Sequence, residues 1–213
     1  KIQINDFNCT DISFPNFIET VNNLKNNSFR KIIVACDGAV ATGKTTILKK
    51  IDKFYQSKST FIDSGLLYRY LTLAHLQSGK KKVNVKYLIK ILDSISIGKL
   101  HNLKLHSNNV SNNVSKIAKI PSIRKALLPI QRKLIFNCPH SIVLVGGRDI
   151  CSKILPAGFS DIKIFIDAKV KLRAERRYLE LKKRKSEKNI SFNEIFEALK
   201  ARDLADKTRK ASP

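Results

Sequence analysis

The sequence lacks several features that mark particular protein classes. No window of about 18 or more apolar residues occurs, so no transmembrane helix is predicted and no membrane partner is expected. The start also lacks the basic, apolar and small-residue pattern of a secretory signal. We therefore expect a cytoplasmic protein. The 213 residues include no methionine and start with Lys1, so we expect the chain to begin within a longer translated product.

Cysteines are few, and their spacing is not typical of metal binding. The four cysteines, Cys9, Cys36, Cys138 and Cys151, form no CxxC pair, and the four histidines show no paired ligand spacing. Cys36 falls within an apolar run that is typical of a buried strand. We expect reduced structural thiols in a reducing compartment, with neither a disulfide nor a metal role.

Acidic residues are scarce, with 17 against 41 lysines and arginines and a formal net charge of +24. Such a charge is typical of proteins that bind nucleic acids or anionic surfaces. Here the lysines are scattered along the chain, and lysine, isoleucine and asparagine are all abundant, as compositional drift of a genome would produce. We therefore do not expect nucleic acid as a partner, although the positive field would attract phosphorylated substrates.

Apolar patterning predicts one main α/β domain with a parallel sheet flanked by helices. Short β-branched runs at 60–63, 141–145 and 162–166 have strand length, and longer amphipathic segments separate them. Two late helices are predicted from apolar stripes, which comprise Val170, Ala174, Tyr178 and Leu181 in one and Phe192, Ile195, Phe196 and Leu199 in the other.

Three segments are harder to assign. The charged stretch KKRKSEKN at 182–189 is predicted to be a mobile loop between the two late helices. Pro129 interrupts an otherwise helical pattern, where a proline costs on the order of 3 kcal/mol unless the helix kinks. The first half of HSNNVSNNVS at 106–115 is predicted to be a loop.

The segment DGAVATGKTT at 37–46 follows the apolar run KIIVAC and precedes an amphipathic run. Its residues fit the pattern G-x-x-x-x-G-K-[ST], in which glycines let backbone N–H groups surround phosphate oxygens and the lysine reaches the β and γ phosphates. A preceding strand and a following helix are the expected context. We predict ATP binding, with Mg²⁺ held at Thr45, by Gly38, Gly43, Lys44, Thr45 and Thr46.

Several further motifs determine which molecule accepts the phosphate. The string IDSGLLYR at 62–69 resembles the acceptor-site motif of bacterial cytidylate kinases, and the resemblance covers residues 31–213. It continues in order through SKIAKIPSIRKALL (115–128), GGRD (146–149), FIDAKVKLRAERR (165–177) and ARDLADKTR (201–209). The resemblance implies a P-loop nucleoside monophosphate kinase fold with an acceptor-binding insert and a lid.

The reaction that this resemblance implies uses Mg·ATP and CMP or dCMP, and gives ADP and CDP or dCDP. It implies that Ser115, Arg124 and Asp149 face the cytosine, because an arginine can donate to O2 and N3 while a carboxylate accepts from the exocyclic amine. It also implies that Arg69, Arg148 and Arg209 contact the acceptor phosphate. Arg202 and Asp206 would contact the sugar, and Ser64 would belong to the acceptor site.

Two of these assignments have simpler alternatives. Ser64 could serve as the cap of the following helix. The residues Arg202, Asp206 and Arg209 share one helix face, and an i, i+4 surface ion pair would explain the first two. Arginine is the minority base, with 11 arginines against 30 lysines, yet most of the arginines fall on the motif positions. Bidentate phosphate recognition needs arginine, so this placement favours the functional interpretation.

The cluster of Arg173, Arg176 and Arg177 resembles the lid arginines that close on the transferred phosphoryl group. The residues to which the resemblance gives catalytic roles are Lys44, Arg148, Arg173 and Arg177. Because Arg173 and Arg177 are four residues apart on one helix face, one member of the cluster could be merely solvated. No protein base is required, since the attacking oxygen belongs to an anionic phosphate.

The chain departs from the family at three places. The family usually has Asp-Gly-Arg-Asp where this chain has Gly146-Gly147-Arg148-Asp149, so an acidic side chain near the acceptor and the metal is missing. The insert between about 95 and 115 is shorter than in relatives. The sequence stops at RKASP, where relatives continue into a final strand and helix.

The first 30 residues do not match a cytidylate kinase. The stretch KIQINDFNCTDISFPNFIETVNNL within residues 1–28 resembles the C-terminal tail of 5-enolpyruvylshikimate-3-phosphate synthase, and a generic leading strand and helix is the alternative. We therefore expect residues 1–30 to be the tail of a preceding domain or an extension, and residues 31–213 to be the kinase-like domain. Fusion to a shikimate-pathway enzyme would explain the start.

Two other functions remain open from the residues alone. A shikimate kinase-like enzyme fits the glycine pair at 146–147, but would not need Ser64, Arg69, Ser115 and Arg124. A degenerate nucleotide-binding module without turnover fits Gly146 and the missing C-terminal elements. As a domain, the kinase is expected to be a monomer.

Overall fold

The computed structural model describes residues 31–95, 100, 103–183 and 191–208. These residues divide into two compact units: the first contains the described residues before 62 and after 139, and the second contains those from 62 to 139. The predicted boundary near residue 30 lies at the edge of the described residues, and the N-terminal segment 1–30 lies outside them.

A four-stranded sheet forms the centre of the first unit. Its strands are β1 (Ile32–Gly38), β2 (Ser59–Asp63), β3 (Ile142–Gly146) and β4 (Ile162–Ile166), in the order β2-β3-β1-β4. Strand β1 pairs in parallel with both β3 and β4, which confirms the predicted parallel sheet. Because parallel strands end at the same edge, the segments that follow β1, β3 and β4 begin at one edge of the sheet.

Short helical turns at Gln56–Lys58 and Ile150–Ile154 belong to the first unit, and three α-helices among the described residues complete it. They are α1 (Lys44–Tyr55), α6 (Val170–Lys183) and α7 (Phe192–Thr208). The predicted apolar stripes of α6 and α7 pack together around Ala174, Ile195 and Leu199, as expected. A separate core under the sheet includes the fully buried Val34, Leu48 and Leu144.

The second unit is helical. Its helices are α2 (Gly65–Gln77), α3 (Val85–Lys90), α4 (Asn108–Ala118) and α5 (Pro121–Phe136). A short 3₁₀ turn, Leu103–His106, precedes α4 in the region of the predicted insert. The core of this unit includes Leu67, Leu71, Ile123 and Leu127, which are all nearly inaccessible to solvent.

The structure corrects the prediction for the asparagine-rich segment. Helix α4 begins at Asn108, so most of the predicted loop is helical. The reason is local, because the Ser107 side chain accepts a hydrogen bond from the backbone N–H of Val110 at 3.4 Å and caps the helix. Helix α5 continues on both sides of Pro129, whose side chain is exposed.

The charged stretch at 182–189 is only partly described. Helix α6 includes Lys182 and Lys183, so the predicted loop begins later than expected, and its remaining residues lie outside the described ranges. In the described part of the chain, no helix combines the length and the apolar character that crossing a membrane requires.

Candidate active site

The loop between β1 and α1 depends on two glycines. Gly38 has φ of 144°, and a Cβ atom placed on it would lie 2.1 Å from the backbone oxygen of Ile166 in β4. Gly43 has φ of 97° and forms the N-cap of α1. Both backbone angles favour glycine, and the first position also has no space for a side chain. The predicted glycine spacing therefore has a direct structural reason.

Lys44 folds back over this loop. Its Nζ donates to the carbonyl oxygens of Gly38 at 2.6 Å and of Ala39 at 2.5 Å. Thr45 and Thr46 follow in the first turn of α1 and are exposed. No acidic residue lies in that turn, so the helix N-terminus presents N–H groups and a positive partial charge. The loop, the lysine and the helix end form an anion-binding arrangement.

Helix α6 lies against the same loop through two arginines. Arg173 Nη1 donates to the backbone oxygen of Val40 at 3.1 Å, and Arg176 Nη1 donates to that of Thr42 at 3.4 Å. The Val40 side chain also packs against the apolar cluster of α6 and α7. The loop is thus supported by both helices, through hydrogen bonds from α6 and apolar packing against α6 and α7.

Arg173 is almost completely buried, with 3% of its surface exposed. Its Nε donates to the backbone oxygen of Ala168 at 2.8 Å, and its Nη1 and Nη2 atoms form a bidentate ion pair with Asp203 of α7. All three guanidinium nitrogens therefore donate to protein oxygens in this conformation. The predicted contact of Arg173 with the transferred phosphoryl group remains a prediction.

Arg177 lies one turn further along α6 in a different environment. Its side chain is 38% exposed and pairs with Glu180 at 2.8 Å. Surface pairs of this kind contribute little and open easily. The shared helix face of Arg173 and Arg177 therefore conceals a difference, because one guanidinium is fixed inside the protein and the other reaches solvent.

The turn after β3 brings three predicted site residues to the same edge of the sheet. Arg148 Nη1 approaches the two carboxylate oxygens of Asp206 at 2.8 and 2.6 Å, although these residues are 58 positions apart. Asp149 follows with φ of 60° and is 9% exposed. Arg202 is exposed on α7, while Arg209 lies outside the described residues. The structure therefore brings Arg148, Asp149 and Asp206 into one region of the first unit.

Asp37 holds the turn that carries Asp149. Its carboxylate accepts hydrogen bonds from the backbone N–H groups of Ile150 at 3.0 Å and Cys151 at 2.8 Å. Burial raises the pKa of the Cys36 thiol to about 12, and burial together with the Asp37 carboxylate raises the pKa of Cys151 to about 12. Both thiols stay protonated near neutral pH, and Cys36 and Cys151 are free cysteines.

The second unit carries the other predicted acceptor residues. Arg69 Nη1 donates at 3.0 Å to the backbone oxygen of Leu105 and at 3.0 Å to Ser111 Oγ. Arg124 Nη1 donates to the backbone oxygen of Ala118 at 3.4 Å, and Ser115 is exposed. These contacts tie both arginines to the ends of α4 or to the turn before it.

Ser64 occupies the N-cap position of α2, as predicted, but its side chain does not perform the capping. Ser64 is 5% exposed, and its side chain makes no capping hydrogen bond. Asp63 Oδ1 instead accepts from the N–H of Gly65 at 2.9 Å. The carboxylate one residue earlier takes the capping role, and the role of Ser64 in an acceptor site remains a prediction.

Gly146 occupies the position where the family usually has an aspartate. A Cβ atom there would lie 2.7 Å from Leu48 Cδ1 and 3.0 Å from Phe61 Cε2. The ends of these two apolar side chains occupy the space that a Cβ atom would need, so a larger residue requires them to shift. The departure at this position is therefore matched by its neighbours, which have the packing that a glycine permits.

Three residues with a clear part in this arrangement are absent from the sequence predictions: Asp37, Ser111 and Asp203. Asp203 could have been found, because it lies four positions after Leu199, where the buried stripe of α7 would continue. A carboxylate at such a position requires a buried partner. Asp37 and Ser111 had no comparable signal, since their partners lie 113 and 42 positions away in sequence.

Comparisons with known proteins find similarity to one kinase family. The family model described as "Cytidylate kinase" matches residues 34–213. A cytidylate kinase of Fusobacterium nucleatum is 36% identical over 192 residues, covering 85% of this chain and 84% of that protein. A cytidylate kinase of Mycoplasma capricolum is 34% identical over 201 residues, with 86% and 83% covered. A crystal structure of TT1252 from Thermus thermophilus, at 16% identity and a TM-score of 0.35, covers 84% of this chain and 100% of that one.

Proposed function

Because the chain belongs to the cytidylate kinase family, we propose that it transfers the γ-phosphate of ATP to CMP or dCMP. The products are ADP and CDP or dCDP, and the chain is a nucleoside monophosphate kinase. The observation that carries this function is the family match over residues 34–213, together with a phosphate-binding loop whose glycines, lysine and threonine are all retained.

The ATP phosphates are held by the loop and the start of α1. Gly38 and Gly43 shape the loop, and the exposed Thr45 and Thr46 lie at the N-terminus of the helix. Lys44 Nζ donates to two loop carbonyls, and phosphate oxygens are stronger acceptors for an ammonium group. ATP binding then replaces these carbonyls as partners of Lys44, which places a positive charge beside the β and γ phosphates.

The residues at the start of α1 also fit a magnesium ion that enters with ATP. Mg²⁺ prefers oxygen ligands and is commonly bound through substrate phosphates and a few protein oxygens. The Thr45 hydroxyl is an exposed oxygen in the first turn, where a P-loop protein holds this ion. When bound, Mg²⁺ neutralises phosphate charge and orients the transferred group.

In the second unit, four residues are assigned to the acceptor nucleotide: Arg69, Arg124, Ser115 and Ser64, which is buried at the start of α2. Arg69 contacts the acceptor phosphate, for which its planar guanidinium is suited. Arg124 and Ser115 contact the cytosine, where an arginine donates to O2 and N3. The resemblance of these positions to the family motifs supports the assignment. The charge of residues 62–139 also supports it, because two acids, Asp63 and Asp93, stand against fourteen lysines and arginines, and this excess of positive charge attracts a phosphate.

In the first unit, Arg148, Asp149, Arg202 and Asp206 are assigned to the same nucleotide. Asp149 is a nearly buried carboxylate and would accept a hydrogen bond from the exocyclic amine of cytosine. Uracil presents an oxygen at that place, so it would leave the carboxylate without its donor. Arg148 contacts the phosphate, and Asp206 and Arg202 contact the sugar. Arg209, also assigned to the phosphate, lies outside the described residues.

The chemistry needs no protein base, because the attacking oxygen of CMP is already anionic. Catalysis consists of aligning the two phosphates, neutralising charge and excluding water. Lys44 and Arg148 supply fixed positive charge. The Arg177 side chain is 38% exposed and pairs with the surface carboxylate of Glu180, so it can turn toward the transferred group. Arg173 is assigned a catalytic role as well, but its side chain is buried, whereas the side chain of Arg177 reaches solvent.

A coupled assay of ADP release tests the function. The purified chain is mixed with Mg·ATP and, in parallel, CMP, dCMP, UMP, AMP or shikimate. We expect turnover with CMP and dCMP only. Turnover with shikimate would contradict the acceptor assignment and favour a shikimate kinase-like enzyme. A folded chain that binds Mg·ATP without any turnover would instead be a nucleotide-binding module that has lost catalysis.

We also propose that residues 1–28 are the tail of a fused 5-enolpyruvylshikimate-3-phosphate synthase, with the kinase acting as a monomeric domain in the cytoplasm. The resemblance of KIQINDFNCTDISFPNFIETVNNL to that tail supports this proposal. An immunoblot of fractionated source cells tests it. A cytoplasmic band far above 24.1 kDa is expected, and a band at that mass would contradict the fusion.

A further inference from the structure

We propose that Asp203 is a positioning residue of the ATP site, which acts through Arg173 to hold the phosphate-binding loop in its binding conformation. This inference rests on the proposed ATP-dependent function and adds a residue that the family motifs did not assign. It also gives Arg173 a role that requires no contact with the transferred phosphoryl group. Asp203 touches neither substrate in this role, so its effect passes through another side chain.

The first argument is the set of atoms that Arg173 joins. Its guanidinium donates to the backbone oxygens of Val40 in the loop and Ala168 before α6, and it pairs with Asp203 of α7 through two nitrogens. One side chain therefore connects the loop, the end of β4 and α7. A bidentate pair with a carboxylate fixes both the position and the plane of the guanidinium.

The second argument is the backbone of the loop. Ala41, directly after Val40, has φ of 61°, which is a left-handed conformation that a residue with a Cβ atom rarely adopts. Such a conformation persists only when the surrounding structure determines it. The constraint on Val40 is double, because its carbonyl accepts from Arg173 while its side chain packs against the α6 and α7 cluster. The contact from Arg173 thus acts on the peptide that begins the strained turn.

The third argument is electrostatic. Arg173 is 3% exposed, and its side chain faces Asp203, which is 21% exposed at its side chain. Removal of one partner from a buried pair leaves an uncompensated charge, which usually moves toward water or draws another partner. Without Asp203, Arg173 keeps its hydrogen bonds to Ala168 and Val40 but loses the bidentate pair that fixes the plane of its guanidinium, so the contact with the Val40 carbonyl is weakened. The loop then samples other conformations, and binding-competent molecules become fewer.

The test compares Asp203→Ala, Asp203→Asn and Asp203→Glu in the full chain. Glu197→Ala is the matched control, because Glu197 is also an acid of α7 and pairs with Lys200, but that pair is largely exposed. The Kd for Mg·ATP is measured by calorimetry without any acceptor. The KM for CMP at saturating Mg·ATP and the thermal unfolding midpoint are measured on the same samples.

We expect Asp203→Ala to raise the Kd for Mg·ATP about tenfold or more, while the KM for CMP changes less than about threefold. Asp203→Asn keeps the shape and a neutral acceptor oxygen, so a smaller rise is expected, and Asp203→Glu should recover part of the affinity. Glu197→Ala should leave the Kd unchanged within about twofold. A folded Asp203→Ala variant with unchanged Mg·ATP affinity would overturn the proposal.

A double-mutant cycle with Arg173→Ala separates the positioning role from direct contact. If Asp203 acts through Arg173, the double variant binds Mg·ATP about as weakly as Arg173→Ala alone. Additive losses in the cycle contradict the proposal. If Asp203→Ala does not fold, the Asp203→Asn variant decides, and an unchanged Kd in that variant also contradicts it. Because Mg·ATP binding is measured without acceptor, a wild-type chain that binds ATP but fails to phosphorylate CMP refutes the proposed function without deciding this inference.

Discussion

In the first unit, Arg148 and Arg173 each pair with a carboxylate of α7, whereas in the second unit Arg69 donates to a carbonyl and a hydroxyl oxygen. A carboxylate fixes an arginine but also offsets its charge. A neutral oxygen orients a guanidinium without offsetting its charge. Carboxylates of α7 therefore fix the two arginines of the first unit, while two neutral oxygens contribute to the orientation of Arg69 in the second unit.

Removing the charge in the second unit should have the largest effect. Arg69→Ala is expected to raise the KM for CMP on the order of 100-fold, since a charge-assisted contact to phosphate is worth roughly 1.5–3 kcal/mol and often more when bidentate. Arg69→Lys should recover only part, because an ammonium group cannot form the planar fork. Initial rates with varied CMP measure both.

The control for this prediction is Lys133→Ala, which removes an exposed positive charge from α5 of the same unit. It should leave the KM for CMP nearly unchanged. An equal rise in both variants would show that the general positive field, and not the placement of Arg69, attracts the nucleotide.

Introducing the family's aspartate at position 146 should destabilise the protein without increasing its activity. Gly146→Asp places a Cβ atom 2.7 Å from Leu48 Cδ1 and 3.0 Å from Phe61 Cε2, and these side chains must shift, so we expect a loss of about 1–3 kcal/mol in the free energy of unfolding. We also expect no gain in kcat. Urea unfolding and initial rates measure these two quantities.

The double variant Gly146→Asp with Phe61→Ala tests the reason for that loss. The smaller side chain makes room, so the two substitutions together should cost less than the sum of the separate costs. Strict additivity would show that packing against Phe61 is not the cause. A faster enzyme with Gly146→Asp alone would contradict the view that the neighbours have adapted to glycine.

Neutralising a carboxylate in the first unit should have an intermediate effect. Asp206→Asn removes the negative partner of Arg148 and keeps the shape of the side chain. We expect the KM for CMP to rise about tenfold, because Arg148 loses its fixed orientation and the sugar loses a charged acceptor. The Kd for Mg·ATP should change little, and an equal weakening of both ligands would contradict the assignment of Asp206 to the acceptor.

Removing a neutral partner in the second unit should have the smallest effect. Ser111→Ala removes the hydroxyl that accepts from Arg69 but keeps the Leu105 carbonyl. We expect the KM for CMP to rise about threefold, which corresponds to one ordinary hydrogen bond of about 0.5–1 kcal/mol. Asn112→Ala, an exposed neighbour on α4, is the control and should have no effect. A rise above that of Asp206→Asn would reverse the comparison.

Local patterns predicted the parts of the protein that depend on local interactions. The four strands, the loop from Gly38 to Thr45 and the apolar stripes of α6 and α7 follow from spacing, because strand pairing and helix faces repeat regularly in sequence. The start of α4 was missed although its signal is local. Ser107 is a strong helix cap, and the asparagines that follow obscured it.

Tertiary partners could not be predicted from spacing. Nothing near Asp37 indicates that its carboxylate holds a turn 113 positions later, and nothing near Arg148 indicates Asp206. Arg173 and Arg177 are predicted to have the same role for the same reason. Helix periodicity indicates the helix face on which a residue lies, but not how deeply its side chain is buried. The continuing apolar stripe at Asp203 was the one sequence feature that could have separated them.

The position of α7 in the chain affects how the protein is made. Asp203 and Asp206 lie three residues apart and pair with arginines from α6 and from the turn after β3, which leave the ribosome earlier. During synthesis, Arg173 and Arg148 therefore have no carboxylate of α7 to meet until the last described helix emerges. The nucleotide loop is translated early, but it acquires its final support from α7 only after the four described strands have been made. ATP binding by nascent chains should accordingly appear late, after residue 203 has left the exit tunnel.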